Sequence, residues 1–153
     1  MNIKVKTSVN AEGSFIIRHF NRDLFEKLNP PFPKVKLIRF DGSKKGDVVA
    51  LELNFIFFKQ RWESLITDDG EDESSHYFID IGVKLPFFLS EWTHRHIIKK
   101  TDNGSLIVDD INFRSYNLIF TFLMAPLIYF QMVFRKPIYR SYFNRLGSGQ
   151  ASA

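Results

Sequence analysis

Two histidines and one aspartate are the residues of this 153-residue chain whose types and spacing best suit chemistry. His94 and His96 are two positions apart, and Asp109 follows in the next apolar run. An imidazole changes its protonation near neutral pH and a carboxylate can orient it, so these groups could move a proton on a bound carbonyl compound. They could instead anchor a mostly apolar ligand through hydrogen bonds. A third interpretation, which we favour, is that they are hydrogen-bonded polar groups on a partly buried wall.

Other kinds of reactive site are excluded or weakly supported by the sequence. The chain has no cysteine, which excludes disulfides, thiolate metal ligands and cysteine nucleophiles. No serine lies in a GxSxG setting, and the glycines do not form a phosphate-binding loop. Two histidines at i and i+2 on a flat strand seldom chelate a metal without a third converging ligand. We therefore expect no metal and no other cofactor.

An Asn-Gly pair determines how these side chains are expected to face one another. Asn103-Gly104 lies between two runs of branched residues and favours a two-residue hairpin turn, since a type I′ turn needs positive φ at both central positions. In that register His96 faces Ile111, and Asp109 lies diagonal to His96. Alternate residues of the two strands then share a largely aromatic and apolar face, which we assign to the interior. That face consists of Trp92, His94, His96, Ile98, Ile107, Asp109, Ile111 and Phe113.

The secondary structure that would position this face can be traced along the chain. Alternating apolar and polar residues predict seven strands, and helical spacing predicts one or two short helices after the first strand. A long helix begins near Tyr116, and Pro126 and Pro137 would kink or break it. The acidic stretch 68–75 is expected to be a solvated hairpin tip, because it lacks the ligand spacing of a calcium-binding loop. The predicted strands span 3–9, 35–40, 48–58, 61–67, 76–81, 91–100 and 106–113, and the short helices lie within 14–28.

This order of elements is typical of an α+β protein in which helices cover one side of an antiparallel sheet. Four sets of residues make the expectation more specific. They are FNRDLFEKLNPPFPKVKL over 20–37; Gly46 with Trp62 and Ile66; Trp92, His94 and His96 with Gly104, Ser105, Asp109, Ile111 and Phe113; and Arg135, Arg140, Tyr142 and Phe143 in the last helix. In their order and spacing they resemble the START-like (SRPBCC) superfamily, which includes the birch-pollen allergen fold. The resemblance is strongest to its small stand-alone bacterial members.

The resemblance implies a helix-grip fold. In such a fold a curved seven-stranded antiparallel sheet surrounds a long C-terminal helix, and two short helices follow strand 1. The resemblance covers most of residues 3–146, so we expect a single ligand-binding domain over 1–146 and a disordered tail over 147–153. Relatives in the superfamily carry lipids, bind plant hormones or cyclise polyketides.

The resemblance also implies an internal cavity between the sheet and the C-terminal helix. The expected function is to bind a small hydrophobic ligand there, either a lipid or a polyketide-like compound. The alternative is an enzyme similar to polyketide cyclases and dehydratases, with His94, His96 and Asp109 as candidate catalytic residues. The residues expected to bind ligand are Trp62, Phe78, Trp92, His94, His96, Asp109, Ile111, Phe113, Phe122 and Tyr129.

The distribution of charge limits which partners are expected. The formal net charge is +4 and the basic residues are spread along the chain, so we expect no nucleic-acid partner. Residues 116–134 carry no charge and are long enough to span a membrane, but a helix buried on the sheet is the favoured interpretation. The apolar stretch 85–89 and the basic residues after 134 could contact a membrane surface transiently. Those basic residues are Arg135, Lys136, Arg140 and Arg145, expected on the solvent-facing side of the last helix.

Two features bear on the compartment in which the protein works. Residues 1–13 contain no apolar run followed by a cleavage signature, so no signal peptide is recognisable there. The absence of cysteine fits a reducing environment. The expected location is therefore the cytoplasm, and the sequence predicts no particular oligomeric state.

Overall fold

A computed structural model describes the backbone of residues 1–150 and the side chains of residues 1–146. Seven strands form one antiparallel sheet, two short helices follow the first strand, and a long helix comes last. The α+β class and the helix-grip arrangement expected from the sequence are confirmed. The strands are β1 (Asn2–Val9), β2 (Lys34–Phe40), β3 (Val48–Asn54), β4 (Lys59–Glu71), β5 (Ser75–Lys84), β6 (Glu91–Thr101) and β7 (Gly104–Arg114), and the helices are α1 (Gly13–Arg18), α2 (Arg22–Lys27) and α3 (Leu118–Gln150).

The order of strands places the first two at opposite edges of the sheet. It runs β1-β7-β6-β5-β4-β3-β2, so β2 to β7 each pair with their neighbours in sequence, as antiparallel strands joined by short connections can. The chain crosses from one edge to the other through α1 and α2. Asn21 begins α2, because its side chain accepts a hydrogen bond from the backbone N–H of Leu24 and so caps the helix.

Buried apolar residues form two clusters that hold α3 against the sheet. One cluster joins α1 and α2 to the C-terminal half of α3, and it includes Leu24 and Tyr139. The other joins β1, β6 and β7 to the middle of α3, and it includes Phe113, Ile128 and Met132. Fully burying a side chain of this size stabilises the fold by about 1.5–3 kcal/mol. The sheet therefore grips the helix at two places along its length.

The N-terminal half of α3 is less buried than its apolar sequence predicts. The helical conformation continues through Pro126 and Pro137, so the expected break is not observed. The helix is the core helix of the fold, as predicted, but Ile119 is 74% exposed and Phe130 is 67% exposed, so it is buried on one side only. The sheet covers one side of the helix, which leaves the opposite side uncovered. By length and hydropathy alone, Leu118–Leu146 would suffice to cross a membrane.

The register of β6 and β7 differs from the prediction by two residues. The turn consists of Asp102 and Asn103, and Gly104 already belongs to β7. Gly104 has a φ of +128°, whereas Asn103 has no positive φ, so the expected type I′ turn is wrong. His96 consequently lies directly opposite Asp109, and the predicted diagonal placement is also wrong. A shift of two residues keeps every side chain on its face, so the predicted interior face is retained, and it is buried.

Two other strand boundaries also differ from the predictions. β3 ends at Asn54, and the chain reverses through a turn in which Ile56 has a φ of +77°. Phe57, which falls within the strand predicted over 48–58, lies outside β3 and is 93% exposed. β4 continues to Glu71, so the predicted acidic loop is mostly strand and the turn is confined to 72–74. Pairing with β5 outweighs the low intrinsic strand preference of aspartate and glycine.

The C-terminal end of the chain bears on the predicted tail. α3 continues over residues 147–150. Residues 151–153, the remainder of the predicted tail, lie outside the described residues. The single domain over 1–146 and the disorder of residues 147–153 stay predictions.

Candidate functional site

An open cleft lies between the concave face of the sheet and the middle of α3. Its volume is about 150 Å³, and apolar and aromatic side chains form most of its walls. The turn after α2, strands β2 to β6 and one side of α3 contribute these walls. Half of the residues predicted to bind ligand line the cleft, namely Trp62, Phe78, Trp92, His94 and His96.

The other five residues predicted to bind ligand do not line the cleft. Asp109, Ile111 and Phe113 are almost completely buried on β7, behind the cleft wall. Phe122 and Tyr129 are 66% and 47% exposed on α3. Because they are seven residues apart, these two aromatic residues share one stripe of the helix, and that stripe is turned away from the sheet. Helical spacing alone did not indicate which stripe faces inward.

Four buried ionisable side chains come together in the wall of the cleft. Asp80 on β5, His94 and His96 on β6, and Asp109 on β7 are all 8% exposed or less. They meet because strand pairing places Asp80 opposite His94, and His96 opposite Asp109. The two imidazole rings are in contact, with centroids 3.7 Å apart. Asp80, which was not predicted as a site residue, faces the interior with the other three side chains.

His94 is held between two carboxylates in a defined tautomer. Its Nε2 donates a hydrogen bond to Oδ1 of Asp109 at 3.0 Å, because an ionised carboxylate can only accept. The other ring nitrogen, Nδ1, lies 3.8 Å from Oδ2 of Asp80. Burial lowers the pKa of His94 to about 4, so the ring is neutral at pH 7. The Nδ1 atom therefore presents a lone pair toward Asp80.

His96 lies between the same two carboxylates with looser geometry. Its Nε2 is 3.4 Å from Oδ2 of Asp80, and its Nδ1 is 3.4 Å from Oδ1 of Asp109. The Nδ1 atom is buried and has no hydrogen-bond partner among the described residues. Burial disfavours the charged ring, but the nearby Asp109 and Asp80 outweigh this and raise the pKa of His96. Phe78 stacks on the ring, with centroids 4.2 Å apart.

Both carboxylates of the cluster are ionised. Burial raises the pKa of Asp109, but the adjacent imidazoles of His94 and His96 outweigh burial and hold it far below its usual range. The pKa of Asp80 is also lowered, again against burial, by the two histidines. Asp80 accepts a further hydrogen bond at 3.2 Å from Nε1 of Trp92. Oδ2 of Asp109 is buried without a hydrogen-bond partner among the described residues.

Helix α3 adds two polar residues that the sequence analysis missed as site residues. Arg135 was expected on the solvent-facing side, and this is wrong, because it lines the cleft with its side chain 16% exposed. Its Nη1 lies 3.9 Å from Oδ1 of Asp109. Tyr139 is fully buried, and burial raises the pKa of its hydroxyl well above the usual value. Both residues continue the inward stripe of Ile128 and Met132 at helical spacing, which is the signal that could have identified them.

Comparison with solved structures identifies the fold. The chain has a helix-grip fold, and its structure is similar to several solved structures. It is similar to the crystal structure of protein Ms6760 from Mycobacterium smegmatis, with 15% identity and a TM-score of 0.66 over 95% of this chain and 92% of that one. It is also similar to the ginseng major latex-like protein 151 from Panax ginseng, with 16% identity and a TM-score of 0.60 over 89% of this chain and 93% of that one.

A third similar structure belongs to an enzyme. The Zhui aromatase/cyclase from Streptomyces sp. R1128 is 14% identical, with a TM-score of 0.58 over 76% of this chain and 69% of that one. No model of a known protein family matches the sequence, and no curated protein matches it. At identities this low, the similarities show the fold and do not assign an activity.

Proposed function

We propose that the protein binds a small hydrophobic molecule in the cleft between the sheet and α3. The observation that supports this most directly is a cleft with apolar and aromatic walls in which a few polar side chains converge. In small-molecule sites of this kind, burial of apolar surface provides affinity, and the polar groups fix the orientation of the ligand. The similarity to an aromatase/cyclase supports a polyketide-like compound as the ligand, and a lipid is the other class that we propose.

The size of the cleft limits which part of such a ligand can be buried. Its volume is about 150 Å³. An engineered apolar cavity of about 150 Å³ binds benzene, so about one ring or a short piece of acyl chain fits inside. The remainder of a larger ligand would lie along Phe32, Phe55 and Phe88, which also line the cleft and contact one another edge to face.

The residues of the site divide into three roles in this proposal. Trp62, Phe78 and Trp92 contact the apolar part of the ligand. His94, His96, Asp80 and Arg135 contact its polar end, where the guanidinium of Arg135 favours an oxygen atom that carries negative charge. The third role is to position the residues that line the cleft, and it belongs to the buried β7 residues Asp109, Ile111 and Phe113.

One observation favours the alternative of a polyketide cyclase- or dehydratase-like enzyme. His94 and His96 are adjacent, yet the pKa of His94 is lowered and that of His96 is raised. Neighbouring groups whose surroundings separate their pKa values are suited to opposite roles in proton transfer. In that reaction His96 would donate a proton to a ligand carbonyl as general acid, and His94 would accept one as general base.

We also infer that a membrane surface is the source of an apolar ligand for this cytoplasmic protein. A contiguous exposed apolar patch is the usual mark of a surface that contacts another apolar phase. The turn at Phe57 carries such residues close to the aromatic cleft residues, since Phe58 contacts both Phe55 and Phe87. The uncovered side of α3 carries further exposed apolar residues. Basic residues near an anionic membrane contribute about 1 kcal/mol each. Basic residues that could make such contacts are Arg114 at the end of β7 and Lys136, Arg140 and Arg145 on α3.

Native mass spectrometry of the purified protein, followed by solvent extraction of bound material, tests ligand binding. We expect an additional mass of one apolar compound per chain. The variant Leu51→Trp, which fills the cleft, should lose that mass, and Ile38→Trp, on an exposed position of β2, should keep it. The proposal is wrong if the protein also binds no fatty acid or aromatic polyketide added in excess, or if Leu51→Trp binds as well as the wild type.

A further inference from the structure

Three side chains of the cleft wall present ligand atoms to a common point. The sequence offers no third ligand to accompany His94 and His96, but β5 brings Asp80 to face them. We propose that Asp80, His94 and His96 bind one divalent transition-metal ion. This site would be a property of the apoprotein itself, and it does not depend on the proposed hydrophobic ligand.

The distances between the ligand atoms are close to those of a tetrahedral site. Oδ2 of Asp80 lies 3.8 Å from Nδ1 of His94 and 3.4 Å from Nε2 of His96. All three atoms lie within 4.8 Å of one another. Ligands at about 2.1 Å from a tetrahedral zinc ion are about 3.4 Å apart. Small rotations of the side chains would therefore complete the coordination.

Asp109 supports the proposal independently, because it is hydrogen-bonded to the far nitrogen of His94 and lies beside the far nitrogen of His96. Its Oδ1 lies 3.0 Å from Nε2 of His94 and 3.4 Å from Nδ1 of His96. In each ring this is the nitrogen that points away from Asp80. A carboxylate that takes the remote N–H of a histidine turns the lone pair of the other nitrogen toward the metal, and metal-binding histidines usually have such a partner.

The charges of the cluster also favour a cation at this point. Asp80 and Asp109 contribute two negative charges, and Arg135, 3.9 Å from Asp109, contributes one positive charge. With both histidines neutral, one buried negative charge is left without compensation, which is costly. In addition, the lone pair of His94 Nδ1 faces the carboxylate of Asp80. A divalent ion between the three ligands would replace this repulsive contact by coordination and would change the net charge of the cluster from −1 to +1.

The ligand set indicates the class of metal and its use. Two imidazoles and one carboxylate suit Zn²⁺, Co²⁺, Ni²⁺ or Fe²⁺ better than Mg²⁺ or Ca²⁺, which prefer oxygen ligands. Asp80, His94 and His96 all line the cleft, so an ion held by them has coordination positions available to a molecule in the cleft. An oxygen atom of the hydrophobic ligand would occupy such a position. This last step rests on the proposed function.

Titration calorimetry with Zn²⁺ on chelator-treated protein tests the site. We expect one ion per chain at neutral pH. Co²⁺ in its place should give the intense visible absorption bands of a four- or five-coordinate site. The variants Asp80→Asn and His96→Gln should weaken binding at least tenfold. Asp109→Asn should weaken it by about 10–100-fold, the usual effect of removing a carboxylate behind a metal-binding histidine.

Histidines outside the cluster provide the matched controls. His19→Gln and His76→Gln remove the other two histidines of the chain and should leave Zn²⁺ affinity unchanged. The proposal is overturned if the wild type binds no Zn²⁺ or Co²⁺, or if affinity survives in both Asp80→Asn and His96→Gln. Circular dichroism identifies a variant that fails to fold. In that case the cobalt spectrum of the wild type shows whether the metal is bound by nitrogen and oxygen ligands in a site of low coordination number. If no metal binds, the apolar ligand expected in native mass spectrometry would still be detected. The two proposals can therefore fail separately.

Discussion

His96 lies directly opposite Asp109 across the paired strands β6 and β7, with Nδ1 3.4 Å from Oδ1. Neighbouring strands rather than loops supply the four ionisable residues of the cluster. A group positioned by sheet pairing is held more rigidly than one on a loop, which suits a site that must orient a ligand. The predictions below test this cluster first and then the elements that position it.

Loss of the carboxylate of Asp109 should destabilise the fold strongly. Asp109→Asn removes one member of a fully buried charged network, and breaking such a network costs about 3–5 kcal/mol. Urea denaturation measures the loss. Asp110→Asn is the control, because that neighbour faces the other side of the sheet and pairs with the half-exposed Lys4. Asp110→Asn should lower the free energy of unfolding by about 1 kcal/mol or less. Equal losses in the two variants would show that the buried cluster is no more important to stability than the surface pair.

Replacement of His96 distinguishes a ligand-binding protein from an enzyme. In a binding protein, His96→Gln should lower affinity about tenfold, equivalent to about 1.4 kcal/mol. In an acid–base catalyst the variant should bind its substrate yet lose a factor of about 10² or more in turnover. Ligand titration and a turnover assay on the extracted compound measure the two effects. His76→Gln, a histidine outside the cleft, should change neither, and a large effect there would point to altered folding.

The close approach of β1 to the β6–β7 turn should make Gly104 hard to replace. A Cβ at Gly104 would lie 2.3 Å from the carbonyl oxygen of Val9, and φ there is +128°. Gly46 has a φ of +95° but nothing within 4 Å of the added atom. Backbone strain alone costs about 1–3 kcal/mol, so Gly104→Ala should lose more unfolding free energy than Gly46→Ala. Thermal unfolding of both variants measures the difference, and equal losses would show that the contact with Val9 relaxes freely.

The carboxyl group of Asp72 should titrate well below other exposed aspartates. The backbone N–H and hydroxyl of Ser74, together with Ser75, lower the pKa of Asp72 to about 2. Because the folded pKa lies below the unfolded value, this stabilisation is complete above about pH 4 and is lost as the pH falls through about 2. NMR titration of the side-chain carboxyl measures the midpoint. Asp72→Asn should abolish this part of the pH dependence, and a midpoint near 3.8 would contradict the turn geometry.

The exposed aromatic residues near the cleft should carry membrane binding. Phe57 is 93% and Phe87 is 55% exposed. Insertion of a phenylalanine into an apolar phase is worth about 1.5–3 kcal/mol, so replacing both by serine should reduce vesicle binding at least tenfold. Flotation with anionic vesicles at low salt measures this. Ile38→Ser, an exposed residue of β2, is the control, and absence of wild-type protein from the floating fraction would end the membrane proposal.

The interior face of β6 and β7 was predictable although its register was not. Alternation has a period of two, so an error of two residues moved the partners of His94 and His96 without moving either ring to the other face. The same periodicity identified Trp92 and Phe113 as interior residues, and both are buried. A register error of two residues therefore leaves the face assignment correct but changes which residues are paired. The direct pairing of His96 with Asp109 could be found only from the structure.

Residues that join the site from other elements were harder to predict. Asp80 lies on β5, and its orientation depends on irregular pairing with β4 that a short apolar run does not reveal. Arg135 follows an uncharged stretch and is of a residue type usually found at the surface, yet it lies on the side of α3 that faces the cleft. Phe122 and Tyr129 illustrate the opposite error, since an apolar helix predicts burial on all sides. A sheet that covers only one side of the helix leaves them in solvent.

The position of β1 at the edge of the sheet has a consequence for synthesis of the chain. Its partner in the sheet is β7, so Asn2 can pair only after Asn112 has been synthesised. At about 5–20 residues per second a ribosome needs roughly 5–20 s to make the intervening chain. During that interval the first strand is available to other strands, including those of neighbouring nascent chains. Protection of this N-terminal segment by a chaperone would therefore matter more to the yield of folded protein than protection of any later hairpin.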